Sequence, residues 1–330
     1  MRPEIEQAVA LLRGGDLVAF PTETVYGLGA DAANPAAVAK IFAAKGRPAN
    51  HPLIVHLPSA DCLSRWAIDI PRDAEDLAAA FWPGPLTLIL KRRPHVPDLV
   101  TGGQETVGLR VPSHPLALAL LRAFEGANGG GVAAPSANRF GRISPTTAAH
   151  VREELGERVP LVLDGGPCPV GIESTILDLS RGVPVLLRPG AIGLAEIGRL
   201  LGRMPETAAP MADAPRVSGS LEAHYAPRTP LQLVSSDGLL FALRNALVAG
   251  ERVAVLAPTA QAISHDLVAW KTSPAEPAGF AHDLYASLRE LDALRCARLL
   301  VQQPPAGEAW QAVNDRLRRA AFGSGEDDET

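Results

Sequence analysis

The sequence predicts an α/β protein of two domains: a twisted mixed sheet with flanking helices, then a smaller βαβ-type domain with a largely parallel sheet. Three observations carry that expectation. The chain has 330 residues, too many for one typical domain and suited to two with a connector. Through Met204, short apolar runs of strand length intermix with helical periodicities, without the strict alternation of a doubly wound fold. From Pro205 to Pro230 the periodicity lapses into a stretch rich in Pro, Ala, Ser and Gly, and beyond it strands and helices alternate.

The elements follow in order. Ile5, Val9 and Leu12 are spaced as on one helix face, and Gly14-Gly15 ends that helix. Leu17-Val18-Ala19-Phe20 reads as a short apolar strand. Asn34 caps a helix with Pro35 at its first position and Gly46 as its stop. Further strands are expected at 53–57, 86–91, 107–111, 132–135, 161–164, 174–178 and 183–188, and further helices at 73–81, 115–124, 146–155 and 194–201. After the linker come strand 231–234, helix 238–248, strand 252–256, helix 280–294, strand 299–302 and helix 308–321. The resulting division is a first domain of residues 1–204, a linker of 205–230, a second domain of 231–322 and an acidic, apolar-poor tail of 323–330 read as disordered.

Composition excludes several classes. Hydrophobic residues make up 47% and charged residues 20%, which allows cores, and aromatics at 5% leave those cores to aliphatic side chains. Cys62, Cys168 and Cys296 are scattered and form no CxxC pair, so a zinc ribbon, a redox pair and a disulfide framework are all disfavoured. The acidic residues at Glu4 and Glu6 do not suit a signal peptide, and the most apolar short run, 116–121, is far below the roughly 20 residues that span a bilayer. A cytoplasmic protein without membrane contact is expected. Net charge is −5, yet residues 1–204 hold 20 basic and 20 acidic side chains. Any anion site there must therefore be a local cluster, and bulk charge gives no argument for nucleic-acid binding.

Three segments could carry chemistry. The first, Pro21-Thr22-Glu23-Thr24-Val25-Tyr26-Gly27-Leu28-Gly29, follows a strand and offers hydroxyls, a carboxylate and two glycines as a lip for a small molecule. Its glycines could equally be plain turns, and residues 27–32 formally match GxGxxA. That match lacks a helix opening in the glycine turn and an acidic residue ending a second strand. The second is Lys45-Gly46-Arg47-Pro48 at a helix end. An arginine fork and a lysine point charge on one short stretch suit a polyphosphate, and they equally suit the negative end of a helix dipole. No GxxxxGK[ST] occurs, so a nucleotide would be held by something other than a P-loop. The third is Ala134-Pro135-Ser136-Ala137-Asn138 at a strand end, where Ser136 and Asn138 alternate in the same sense as Lys45 and Arg47, or form a turn.

Together, in this order, the PTETVYGLG opening, the KxR and SxN pairs and the linker's His224-Tyr225-Ala226-Pro227 resemble the threonylcarbamoyl-AMP synthase family, whose catalytic domain is called YrdC-like. The resemblance spans nearly the whole chain, including the additional C-terminal, Rossmann-like domain of the longer members. It implies that L-threonine, bicarbonate and ATP, with magnesium accompanying the nucleotide, give threonylcarbamoyl-AMP and pyrophosphate. The product would serve threonylcarbamoyl-adenosine modification of tRNA through a separate transferase, with at most weak contact to tRNA itself.

The resemblance also implies residue roles. Lys45, Arg47, Ser136 and Asn138 would form the nucleotide-binding tetrad, with Lys45 and Arg47 catalytic. Thr106, Ser144, Arg188 and Tyr225 would be further ATP contacts. Thr24, His56, Arg110, Ala134 and Ser174 would form the threonine pocket, Arg110 as a bidentate partner of the carboxylate. Where many members have Asn before Pro-Leu this chain has His51, with Asn50 one position earlier, so His51 stands in for that ATP contact or neither residue makes it. No side chain is assigned to metal. If Tyr225 touches ATP, the linker lies across the site as a lid. The rival classes are a non-catalytic double-stranded RNA or tRNA-binding module, a hydrogenase-maturation carbamoyl transferase, whose CxxC fingers this chain lacks, and a nicotinamide-dependent dehydrogenase.

Overall fold

The computed structural model describes residues 2–125, 130–207, 214–219, 221–257 and 263–324. The chain divides into two units, one of Met1–Phe140 and Pro145–Ser220, the other of Gly141–Ser144 and Leu221–Thr330. In the first unit the order is α1 (Pro3–Arg13), β1 (Val18–Phe20), β2 (Gly27–Asp31), α2 (Pro35–Lys45), β3 (Ile54–His56), α3 (Leu63–Trp66) and α4 (Arg72–Phe81). It continues with β4 (Leu86–Lys91), α5 (Asp98–Thr101), β5 (Thr106–Arg110), α6 (Pro115–Glu125), β6 (Val132–Ala133) and α7 (Ala148–Leu155). Then come β7 (Leu161–Val162), β8 (Thr175–Asp178), β9 (Val185–Arg188), α8 (Leu194–Leu201) and β10 (Glu206–Thr207).

Among the described residues these strands form one ten-stranded sheet, ordered β10-β9-β8-β4-β5-β3-β6-β2-β1-β7. Parallel and antiparallel neighbours are mixed, as expected. Local signals set the helix limits. The Asn34 side chain accepts from the Ala36 and Ala37 amides at the start of α2, and Gly46 closes it at φ 63°. Helix α1 has proline in its first turn, Glu4 and Glu6 there as well, and Arg13 in its last turn.

The glycines of the first motif are not turns. Gly27 and Gly29 lie inside β2, antiparallel to β1, so no strand–turn–helix unit exists for a dinucleotide. A Cβ on Gly29 would come within 2.8 Å of both Phe20 Cε1 and Val132 Cγ1; the position needs glycine because side chains from two neighbouring strands fill the space. Strand β2 escaped the sequence reading because it lacks an alternating pattern. Helices α3 and α5 and strand β10, the last within the expected linker, are also additions.

The two faces of the sheet differ, and that difference places the site. One face packs the main core, with Val55, Leu57, Leu88, Leu90, Val107, Leu109 and Leu177 among its members. On the other, α1 and α6 cover only the β6-β2-β1 end, where Ile5, Val9, Leu12, Leu120 and Phe124 meet Val18, Phe20 and Val132. Beyond them that second face carries Ile54 and His56 beside Gly108 and Arg110. It continues through Ile89 and Lys91 beside Gly108 and Thr106, Thr87 beside Ile176 and Ile176 beside Arg188. Because side chains alternate along a strand, this second set points away from the core, and it mixes the apolar Ile54, Ile89 and Ile176 with the polar His56, Arg110, Thr87, Thr106 and Arg188.

The second unit contains β11 (Leu231–Val234), α9 (Ser236–Val248), β12 (Val253–Ala257), β13 (Val268–Thr272), α10 (Pro277–Ala293), β14 (Arg298–Gln302) and α11 (Gln311–Gly323). Its sheet, ordered β11-β14-β12-β13, is parallel throughout. Strand β13 was not expected; its residues are only half-buried, and the sequence there has no clean apolar run. The last helix is preceded by a 3₁₀ turn, Glu308–Trp310. The expected disordered tail falls mostly at 325–330, outside the described residues, as do 208–213 and 220 of the linker.

Candidate active site

The KxR and SxN segments meet through a side chain and two carbonyls. Lys45 Nζ donates to the main-chain oxygens of Ser136 and Asn138, both at 2.5 Å. The αL turn at Gly46 brings the chain round so that Arg47, itself buried, donates from Nη2 to Pro52 O at 3.0 Å and stands 5.8 Å from the centroid of the Phe140 ring. Burial, and next the charge of Arg47, hold the Lys45 amine well below the usual lysine range, against the opposing pull of Glu154 and Glu173. Asn138 is buried and Ser136 half-buried. The dipole-capping reading of Lys45 is therefore too small: the amine turns inward to the 136–138 segment. His51 stands beside this group, its ring 5.2 Å from that of Phe140, with its pKa lowered by burial and then by Arg47 and Arg216. Asn50 is exposed.

The Thr24–Tyr26 stretch runs alongside. Ala137 N donates to Tyr26 O at 2.8 Å, and Leu28 N to Pro135 O at 2.8 Å. Thr22 Oγ1 folds this stretch into a tight turn, accepting from the Thr24 and Val25 amides and lying 2.9 Å from Thr24 Oγ1. Arg110, at the end of β5, donates from Nη1 to Thr24 Oγ1 at 3.0 Å and from Nε to Gly84 O at 3.3 Å, and its Nη2 lies 2.6 Å from Glu23 Oε1. Glu23 Oε2 accepts from the Ser113 amide at 3.0 Å. The register β3–β5 sets His56 directly beside Arg110, and Ala134 donates its amide to Ile54 O at 3.0 Å.

Burial, and then the neighbouring Arg110, push His56 down to about 3, so the imidazole is neutral at physiological pH. This has a sign. Between pH 6.5 and 3 the unfolded chain takes up a proton that the folded chain refuses, so stability falls as pH falls through that window, by up to roughly 1.4 kcal/mol per pH unit from this group. Urea midpoints at several pH values should show that slope, and a His56→Asn variant should show it flattened.

Ser174 and Arg188 form a third group. Arg188 donates from Nε and Nη2 to Ser174 O at 3.1 and 2.9 Å, from Nη2 to Ser174 Oγ at 3.1 Å and from Nη1 to Ser218 O at 2.7 Å. Ser174 Oγ also lies 2.8 Å from Thr87 Oγ1. A Cβ on Gly190 would fall 2.3 Å from Thr175 N, a main-chain clash that no side-chain rotation relieves. Gly190→Ala is expected to cost roughly 3 kcal/mol and to disturb Arg188, read as a drop in the urea midpoint.

Ile54, Ile89, Gly108 and Ile176 floor a shallow groove with Thr106 at its side and Val217 over it. Val217 packs on Ile89 and Ile176. The segment carrying it is fastened by a reciprocal pair, Arg216 N to Gln104 Oε1 at 2.7 Å and Gln104 Nε2 to Arg216 O at 3.0 Å, besides the bond from Arg188 to Ser218.

The remaining predicted residues belong to the second unit. Ser144 is fully buried, and Tyr225 is 1% exposed with a φ of 63°. Within that unit Tyr225 is held between the rings of His224, at 4.1 Å, and Tyr285, at 5.5 Å, with the Arg316 guanidinium 5.5 Å from its centroid. Ala226 N donates to Gly141 O at 2.8 Å. Sequence reasoning missed Glu23 as a partner of Arg110, Thr87 and Gln104. Thr87 had a signal: it is the one hydroxyl in the apolar run Leu86–Lys91. Gln104 had none, since its partner is more than a hundred residues away.

A family profile described as "Telomere recombination", for Sua5, YciO and YrdC proteins, matches residues 10–190, and one described as "Threonylcarbamoyl-AMP synthase, C-terminal domain" matches 192–322. A threonylcarbamoyl-AMP synthase of Bacillus subtilis (strain 168) is 41% identical over 97% of this chain and 94% of its own length. One from Pyrococcus abyssi (strain GE5 / Orsay) is 38% identical over 96% and 94%. Among solved structures, the crystal structure of P. abyssi Sua5 complexed with L-threonine superimposes with a TM-score of 0.88 at 37% identity, covering 97% of this chain and 94% of that one.

Proposed function

The chain belongs to the threonylcarbamoyl-AMP synthase family, and on that premise we propose that it makes threonylcarbamoyl-AMP and pyrophosphate from L-threonine, bicarbonate and ATP. The observation that carries the reading is that main-chain bonds between the 24–28, 54 and 134–138 segments hold two unlike groups side by side. One is cationic and suited to phosphates, Lys45 and Arg47 with the 136–138 segment; the other holds Arg110, neutral His56 and Thr24 and suits an amino acid. This class of reaction needs no covalent nucleophile. An amine and bicarbonate give a carbamate with loss of water, and a carbamate oxygen then displaces pyrophosphate from the α-phosphorus. The protein's task is to hold two anions in line and offset the charge that develops on the phosphoryl oxygens.

In this reading Arg110 takes the threonine carboxylate, with Thr24, Ala134 and Ser174 bounding the pocket. His56 stays uncharged so that it can hydrogen-bond without adding charge. Lys45 and Arg47 take the phosphates; an arriving triphosphate restores to Lys45 the charge that burial disfavours. Thr106, Arg188 and His51 line the approach for the nucleotide, and Ser144 and Tyr225 are assigned as ATP contacts by resemblance. The fastening of Arg216–Ser218 over the groove supports the linker as a cover for that approach.

Magnesium fits as a companion of the triphosphate. Among the described residues no three His, Cys, Asp or Glu side chains gather to hold an ion, and the carboxylate in the pocket, Glu23, is paired with Arg110. Bound on the phosphates, the metal would supply charge neutralisation. The product suits a separate tRNA-modifying transferase in the cytoplasm. No helix among the described residues is long and apolar enough to cross a membrane.

Pyrophosphate release from ATP and magnesium tests the proposal, measured with and without L-threonine and bicarbonate. Release that needs both co-substrates is the expected result. Release indifferent to threonine, or none, would refute the assignment; binding of RNA without turnover would favour the non-catalytic reading.

A further inference from the structure

The threonine pocket contains a carboxylate to which the family resemblance gave no role. Glu23 and Arg110 side chains are each 5% exposed and 2.6 Å apart. Glu23 Oε1 and Arg110 Nη2 thus meet as a buried ion pair without a hydrogen bond of good geometry, and Nδ1 of the adjacent His56 is buried beside them. A buried pair of this kind keeps lone pairs and N–H bonds that a ligand can complete. The atoms on offer are a carboxylate oxygen that can only accept, a guanidinium nitrogen that can only donate, and an imidazole nitrogen that does either according to tautomer.

The donors of Arg110 can be counted. Of its five N–H bonds, Nε–H goes to Gly84 O and one from Nη1 to Thr24 Oγ1, while Nη2 faces Glu23. One N–H on each terminal nitrogen remains for a carboxylate. A simple carboxylate entering there would complete Arg110 and would stand as a second anion beside Glu23. A zwitterionic α-amino acid would not suffer this, because its ammonium lies one carbon from its carboxylate and offers N–H donors to an acceptor beside the guanidinium. Arg110 and Glu23 together match the two charges of that headgroup, and the neutral His56 leaves the balance undisturbed.

We propose that Glu23 is a specificity-determining residue whose carboxylate receives the α-ammonium of the amino acid bound by Arg110, so that the pocket selects amino acids over carboxylates lacking the amine. The inference rests on the threonine reading above and deepens it. Its consequence is that the site rejects the 2-hydroxy analogue of threonine, 2,3-dihydroxybutanoate, which keeps the carboxylate, the chain length and the side-chain hydroxyl.

Calorimetric titration of the full-length protein with each of the two ligands tests this. The wild type should bind L-threonine and discriminate strongly against the hydroxy acid. Glu23→Gln should weaken threonine binding by about thirtyfold, the size of a buried charge-assisted hydrogen bond, and bring the two ligands to similar affinity. In turnover, KM for threonine should rise while KM for ATP holds. Glu23→Asp, which keeps the charge and guards against a misfolded Gln variant, should bind threonine more weakly but retain the discrimination. Equal weakening of both ligands by Glu23→Gln would reduce Glu23 to a scaffold for Arg110 and overturn the proposal, as would unchanged threonine binding. A wild type that binds neither ligand would instead remove the threonine reading itself.

Discussion

Replacing Lys45 by alanine should lower threonine- and bicarbonate-dependent pyrophosphate release by at least about a hundredfold, the usual consequence of deleting one preorganised charge at a phosphoryl-transfer site. Two effects combine. The first is chemical: the ammonium is the compact charge beside Arg47, and the arginine fork cannot take its place without moving off Pro52 O. The second is structural. The amine satisfies two carbonyls, Ser136 O and Asn138 O, and its loss leaves both needing water in a buried place, at roughly 1–3 kcal/mol for an unsatisfied group. Steady-state rates measured together with urea midpoints separate the two. A variant with a lowered midpoint but more than a third of the wild-type rate would show that Lys45 organises the 136–138 segment and does not act on phosphate.

The largest effect on stability is expected at Arg110. Arg110→Ala strands the Glu23 carboxylate at 5% exposure and deprives Thr24 Oγ1 and Gly84 O of their donor. Removing one partner of a buried pair costs about 3–5 kcal/mol, because the other charge is left uncompensated. Neutralising both partners is cheaper than removing one, so Glu23→Gln with Arg110→Met should regain much of the lost stability while still failing to use threonine. Chemical denaturation of the wild type, Glu23→Gln, Arg110→Met and the double variant gives the coupling directly. A double variant no more stable than Arg110→Met would mean that the pair does not govern the fold of this pocket. Recovery of threonine use in the double variant would mean that the carboxylate is bound elsewhere.

Much of this was legible in the chain, for particular reasons. Helix α2 announced itself through Asn34-Pro35 and Gly46 because caps and αL stops are local chemistry. Strand β4 was read with its observed limits because a short apolar run, broken only by the β-branched Thr87, lies between the turn Pro83-Gly84-Pro85 and a basic cluster. Strand β2 was not, since Gly27 and Gly29 are fixed by Phe20 and Val132 from neighbouring strands. Of the site, the KxR and SxN pairs were visible as residue types, and the motifs ordered them. That Lys45 reaches across to the Ser136 and Asn138 main chain was not visible, because carbonyl groups carry no signature in sequence.

By itself, then, the sequence determined the α/β class, most of the elements and the family to which its motifs belong, since these rest on periodicity, caps and short linear patterns. The tertiary structure alone decided which face of the large sheet carries the residues of the site, that His56 stands beside Arg110, and that Glu23 is Arg110's partner. Those facts arise from strand order and register between segments far apart in the chain, and pairing at long range leaves no mark on either segment taken singly.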